Sequence, residues 1–461
     1  MTETLEAVHE LSEKRAYVHS GATRSYAFRK RQLLLLRDAI LKYEPEIYQA
    51  LHQDLKKAQE EVYAAEIGMV LMEIRTALKN LRKWTRPKHA RTNPLNWPSA
   101  SSIIHDPLGV VLIIAPWNYP FQLLFLPLVG AIAGGNAVLL KPSESAPASA
   151  ALAEKIIHEI FPRHYISIAC GDGAAVIRPM IRNFRFDHIV YTGSTAVGKM
   201  IYQLAAEQLI PVTLELGGKN PAVIEKDADL WIAAKKIAVG KFLNAGQTCV
   251  APDYLLVHVS VKEEFLKKLR EAITLFYGED IATSSSYGRI INGKRFDLLV
   301  DLLAEGRIVF GGGHDREKLF ISPTILEEVP VDAAMMKQEI FGPLLPVFTY
   351  ETMEDAKAMI DANPSPLAFY LFTQNKQTEK RWLERLSFGG ACVNNTLWHL
   401  SNHHLPFGGV GNSGIGAYHG KHSFYRFTHA KPVMKTPGWF DPAIKYPPFE
   451  GKMKWIKKLI R

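Results

Sequence analysis

The sequence predicts an α/β fold with more than one domain, on three observations. Apolar runs of strand length alternate with amphipathic stretches of helical period through most of the chain, with glycine and proline as punctuation. At 461 residues the chain exceeds what a single hydrophobic core fills. A hydrophobic fraction of 47% against 22% charged residues is that of an ordinary globular enzyme, and no low-complexity tract or solenoid repeat interrupts it.

Residues 1–83 read as two or three helices, because RKRQLLLLRDAILKY and AAEIGMVLMEIRTALKNLRKW carry apolar residues at helical spacing. The opening MTETLEAVHELSEKRAY is polar and amphipathic and has no apolar signal-peptide core. Residues 84–106, basic, poorly periodic and containing Pro and Trp, suit an extended arm or linker. Pro107 to Leu140 carries no charge and is long enough to span a bilayer. Pro116, Pro120, Pro127, Gly130, Gly134 and Gly135 break it up, so it reads as strand, turn, helix, strand of a buried parallel sheet.

From 107 to 211 the runs GVVLIIAP, AVLLKP, ISIAC and FDHIVYTG alternate with helical stretches, the pattern of a doubly wound nucleotide-binding sheet. A second α/β unit is expected over 212–403, with strands near PVTLEL, NPAVIE, YLLVHV and PLLPVFTY. The tail, 404–461, starts Gly-rich and ends Pro-rich and basic.

The net charge of +9 suggests nucleic acid, but its distribution argues otherwise. KNLRKWTRPKHAR (79–91) holds six Lys and Arg, the last ten residues hold five, and the rest is close to neutral without a nucleic-acid reading module. No nucleic-acid partner is expected. Cys170, Cys249 and Cys392 are far apart and show no CxxC spacing, which fits a reducing, cytoplasmic setting. Cys170 and Cys392 lie in apolar strand-like contexts and read as packing residues. His399, His403 and His404 sit in loop-like surroundings with no carboxylate or cysteine to complete a ligand set. No metal is expected; lining a substrate entrance suits them better.

Five stretches carry chemistry, the first four each with a blander alternative. YTGSTAVGKM follows a strand, and Gly193, Ser194 and Gly198 would open a helix whose N–H groups attract a pyrophosphate; a tight strand-to-helix turn explains it equally. Lys141 and Glu144 in LLKPSES stand where a parallel strand ends and could bind two ribose hydroxyls, or form a solvated turn. Cys249 in NAGQTCVAPDY lies on a loop, where a nucleophile would be placed, though an isolated cysteine is more often a buried packing thiol. Glu215 ends an apolar strand before Gly-Gly, so it is either a general base with a raised pKa or a salt-bridged structural carboxylate. Asn118 in APWNYP offers a neutral amide donor at a strand end, suited to an oxyanion.

APWNYP, LLKPSES, YTGSTAVGK, VTLELGGKNP, NAGQTCVAPDY, EIFGPLLPV (339–347) and LPFGGVGNSGIGAYHG (405–420), together and in this order, resemble the NAD(P)-dependent aldehyde dehydrogenase superfamily. The start without a long N-terminal extension and KYPPFEGK (445–452) resemble its class 3, fatty and aromatic aldehyde, branch. The resemblance implies a Rossmann-type dinucleotide-binding domain (1–83 and 107–211), an α/β catalytic domain (212–403), and an oligomerisation arm with a C-terminal tail (84–106 and 404–461). It implies that Cys249 attacks the aldehyde, that Asn118 and the Cys249 N–H hold the oxyanion, and that Glu215 activates the hydrolytic water. Lys141 and Glu144 would contact the adenosine ribose, Gly193, Ser194 and Gly198 the pyrophosphate, and Glu339 the nicotinamide ribose, with Phe341 behind it. Glu339 is the alternative base, and Trp117 lines the site or supports it.

NAD is the cofactor expected first, with NADP accepted, and the partners implied are a small aldehyde and a second copy of the chain in a homodimer. In the tail, Met453, Trp455, Ile456, Leu459 and Ile460 would face one way, with Lys454, Lys457, Lys458 and Arg461 mostly opposite. This fits peripheral membrane contact or packing on a partner subunit. A CoA-acylating dehydrogenase and a non-catalytic binding protein of this fold are the rival functions.

Overall fold

A computed structural model describes residues 2–460. The expected N-terminal helices run Thr2–His19, Tyr26–Lys42, Glu44–Leu55, Gln59–Val62 and Gly68–Thr85, with a π-helical turn, Tyr63–Ile67, joining the last two. Pro45 at the start of Glu44–Leu55 and the left-handed Lys56 after it bound that helix.

The first sheet has six strands in the order Gly414–Ile415, Val212–Leu216, His188–Gly193, Val110–Ile114, Ala137–Lys141 and Ile166–Ile168. All pair in parallel except Gly414–Ile415. The uncharged stretch after Pro107 resolves into Val110–Ile114, the fully buried helix Gln122–Gly134 and Ala137–Lys141, as expected. Among the described residues no helix is long and apolar enough to cross a membrane.

The second sheet has seven strands in the order Arg307–Phe310, Thr324–Glu327, Leu344–Tyr350, Tyr254–His258, Pro221–Ile224, Ala368–Phe372 and Gly390–Val393. Two expectations change. VTLEL was expected to open this sheet, but Val212–Leu216 belongs to the first, with Glu215 opposite Thr192. The inner strands of both sheets are parallel and buried, so an apolar run reads the same in either, and only the hydrogen-bond ladder decides. The chain changes sheet at Gly217-Gly218, one strand later than the expected boundary at 212.

Residues 84–106 are no simple linker: Lys88–Ala90 and Ala100–Pro107 join Thr428–Lys435 in a three-stranded antiparallel arm sheet. Thr428–Lys435 is an edge strand of that sheet and mostly exposed. The tail ends in the helix Met453–Ile460; Arg461, the Leu459 side chain and Met1 lie outside the described residues.

Candidate active site

A cavity of about 1030 Å³ lies between the two sheets. The first sheet delivers Glu215 near the end of Val212–Leu216 and Gly193 and Ser194 at the end of His188–Gly193. The second unit delivers Cys249. Asp229 caps the helix Leu230–Phe242 by accepting from the amides of Trp231 and Ile232 at 3.1 and 3.0 Å. That helix runs into the turn Leu243–Gly246, and the chain then folds back with Asn244 and Ala245 both at φ 51°.

Gly246 follows at φ +77°, and a Cβ there would stand 2.2 Å from the Gly342 carbonyl. Glycine therefore lets the cysteine loop and the Glu339 loop meet backbone to backbone. A second close approach occurs at Gly217, where a Cβ would lie 1.9 Å from Glu339 Oε2.

Cys249 is half-buried on the cavity wall. Burial, then the charges of Glu339 and Glu215, push its thiol up to about 12. Glu215 is 3% exposed, neither carboxylate oxygen makes a side-chain hydrogen bond, and burial raises it well above the carboxylate range against the charge of Arg426 and the backbone amide of Gly409. Burial and the charge of Asp253 raise Glu339 to about 8, against Arg295, Lys219 and Lys241.

Asn118 is 2% exposed; its Nδ2 donates to the Gln247 carbonyl at 3.1 Å, which leaves one amide hydrogen uncommitted by that bond. Its own carbonyl accepts from Asn244 Nδ2 at 2.9 Å. Gln247 is held in turn by the Asn244 and Arg289 carbonyls and the Ile291 amide. Tyr119, next along, shares a 2.7 Å hydrogen bond with Thr248.

Of the residues singled out in the sequence, Trp117, Asn118, Gly193, Ser194, Glu215, Cys249, Glu339 and Phe341 line this one cavity. Trp117 meets the Phe341 ring edge-on with centroids 5.3 Å apart. Lys141 and Glu144 stand outside the cavity wall, at the end of the strand Ala137–Lys141, and are ion-paired at 3.1 Å. Burial raises Glu144, but its own backbone amide and Lys141 outweigh this and hold it below its ordinary value. Gly198 faces Leu216, 2.5 Å from where its Cβ would be, and sets helix Thr195–Glu207 close against the sheet.

His399 bonds Cys392 at 3.3 Å, while His403 and His404 pack ring on ring at 4.1 Å. Cys170 is exposed rather than packed, because it follows the strand Ile166–Ile168 instead of continuing it.

Sequence reasoning missed a clamp around Glu339. Lys219 pairs with Asp253 and donates to the Met335 carbonyl; Asp253 accepts from the Ile340 amide at 3.0 Å; Arg295 donates to the Ile340 carbonyl. Lys219 lay in a quoted motif, but its partners are spread over more than 100 residues. Phe341 holds a left-handed φ of 49° within this clamp.

Two largely parallel sheets that converge on a cavity holding a thiol and carboxylates define the class, an α/β enzyme with a candidate cysteine nucleophile. More particularly, the chain belongs to the aldehyde dehydrogenase family, whose model matches residues 6–433, and it oxidises aldehydes. It is 46% identical to a 4,4'-diaponeurosporen-aldehyde dehydrogenase of Staphylococcus aureus, over 97% of this chain and 98% of that one. It is 43% identical to a dimeric NADP-preferring aldehyde dehydrogenase of Canis lupus familiaris, over 95% and 97%. The structure of a substrate-bound Staphylococcus aureus AldH superposes with a TM-score of 0.96 at 45% identity, covering 98% of this chain and 99% of that one.

Proposed function

We propose that this chain oxidises medium- or long-chain aliphatic or aromatic aldehydes to carboxylic acids with NAD(P), through a covalent intermediate on Cys249. One observation carries the reading: the thiol of Cys249, the buried carboxylate of Glu215 and the amide of Asn118 open onto one cavity.

The residues present fit a dinucleotide. Gly193 and Ser194 line the cavity just before the 13-residue helix Thr195–Glu207, so the positive end of that helix would hold a pyrophosphate. Lys141 and Glu144, at a strand end two strands along the same sheet, would hold the adenosine ribose, and Glu339 the other ribose. A bound nicotinamide supplies the hydride acceptor.

The chain's own residues do the rest. Cys249 passes its proton to the Glu215 carboxylate and on to solvent, and its sulfur attacks the aldehyde carbon to form a thiohemiacetal. The uncommitted Asn118 N–H and the Cys249 amide hold the oxyanion, at about 3 kcal/mol per donor. Oxidation of this adduct leaves a thioester on Cys249. Glu215 takes a proton from water, the water oxygen replaces sulfur on the acyl carbon, and the acid leaves. Glu339 is the alternative base, in reach of the same wall.

The first sheet with the N-terminal helices serves as the dinucleotide-binding domain and the second sheet as the catalytic domain. The arm sheet serves to form a cytoplasmic homodimer, and the open edge of Thr428–Lys435 supports this. The tail helix favours peripheral membrane contact, since Met453, Trp455 and Ile460 are exposed.

Steady-state kinetics with hexanal, dodecanal and benzaldehyde, each with NAD and NADP, test the reading. Cofactor reduction with free acid formed in the absence of CoA is expected. Product that appears only with CoA would favour the acylating alternative, and no turnover with any pair would sink the assignment.

A further inference from the structure

We infer that Lys57, between two N-terminal helices, and Glu66, on the π-helical turn that follows, are positioning residues for the oxyanion donor Asn118. This rests on the reading of Asn118 given above. The Lys57 ammonium and the Glu66 carboxylate pair at 2.6 Å with both side chains 0% exposed. Lys57 also donates to the Asn118 carbonyl at 2.8 Å and stands over the Tyr119 ring, 3.9 Å from its centroid. The other Glu66 oxygen accepts from the backbone amides of Phe121 and Gln122 at 3.0 and 2.9 Å, where the helix Gln122–Gly134 begins.

The pair therefore grips the chain at the Asn118 backbone carbonyl and just beyond it, at residues 121 and 122. The opposite grip comes from the cysteine loop, through Asn244 on the Asn118 carbonyl and the Gln247 carbonyl on its side chain. Asn118 is thus suspended between a buried ion pair and the loop that carries the thiol. The π-helical turn Tyr63–Ile67 brings Glu66 inward while Ala64 and Ala65 line the cavity. Such turns mark functional sites more often than ordinary helix does.

A buried ion pair is a poor source of stability, since apolar residues of similar size serve as well. Its use here is geometric: charge-assisted hydrogen bonds fix a loop more narrowly than apolar packing can. Glu61 stands beside the pair with one buried oxygen unpartnered, and burial raises its carboxyl to about 7 against the charge of Lys57.

The test compares Asn118→Ala, Glu66→Gln, Lys57→Met/Glu66→Met and each combined with Asn118→Ala. The double apolar variant leaves neither member of the pair without its partner; Glu61 loses its cation but, raised to about 7 by burial, takes up a proton, so the variant is expected to melt near the wild type. Its kcat and kcat/KM for aldehyde are expected to fall together, about 10- to 100-fold, with KM for the cofactor unchanged. In the Asn118→Ala background the same replacements are expected to cost little further, because the group they position is gone. Full additivity, or wild-type kcat in the folded double variant, overturns the inference while the role of Asn118 stands. A double variant that does not fold also overturns it, because the pair would then determine folding and not position. If Asn118→Ala alone keeps full turnover, it is the underlying reading of Asn118 that fails.

Discussion

Around Cys249, burial and the charges of two carboxylates act in the same direction, which is why its thiol is pushed up to about 12. At neutral pH the free enzyme then holds the sulfur protonated, and reactivity follows the small thiolate fraction. Alkylation by iodoacetamide, followed by mass spectrometry, is expected to speed up about tenfold per pH unit between 7 and 10. A plateau by pH 8 would contradict this. Glu215 carries the matching cost. Its pKa is raised in the folded protein, so its contribution to stability is full below the ordinary carboxylate range and is lost as pH rises toward the folded value. Glu215→Gln is therefore expected to raise the Tm at pH 8 by about 1–3 °C and to leave it unchanged at pH 4, while slowing release of the acid. Equal shifts at both pH values would refute the linkage. Asn118 and Glu215 could be singled out because each puts a polar group at the end of an apolar strand, Cys249 because it sits on a loop, and Glu339 only through the family resemblance. Asn244, Gln247, Asp253 and Arg295 were not, because their work is done through backbone groups distant in sequence.

Elements were legible where period and punctuation agreed. The stretch from Pro107 to Leu140 is the best case, since its prolines and glycines fall between strand and helix. Val212–Leu216 was assigned to the wrong sheet because five buried residues carry no mark of their neighbours. The arm strands were missed because Ala100–Pro107 is only half-buried and finds its partner more than 300 residues away. Helix ends make a more local prediction. Asp54 accepts from the amides of Ala148 and Ser149 at 3.1 and 2.8 Å, capping Pro147–Ile160 from another helix. Asp54→Ala is expected to cost about 1 kcal/mol in urea unfolding, and a neutral result would mean that water replaces the cap. At the end of Ala137–Lys141, Glu144 would repel a 2′-phosphate. Glu144→Gln is expected to shift preference toward NADP by several-fold in kcat/KM, and an unchanged ratio would place the ribose elsewhere.

At the scale of the whole molecule, the net charge of +9 is concentrated at the arm and the tail. The tail helix packs Ile456 toward Pro94, Leu95, Trp97 and Phe440 in a separate apolar groove of about 320 Å³ and leaves Trp455 outside. Liposome flotation of the full chain against a 1–450 truncation separates the two readings of this helix. Binding by the full chain alone supports membrane contact, and equal non-binding leaves packing on a partner.

The first sheet is completed from the far end of the chain. Gly414–Ile415 pairs with Val212–Leu216 directly opposite Glu215, and Gly420 and Ser423 bond to Glu73. During synthesis the strand bearing Glu215 thus keeps an open edge until some 200 more residues have left the ribosome. A half-made chain exposes an apolar strand edge beside the future site, so its yield in the cell depends on holdase chaperones and on the pace of translation.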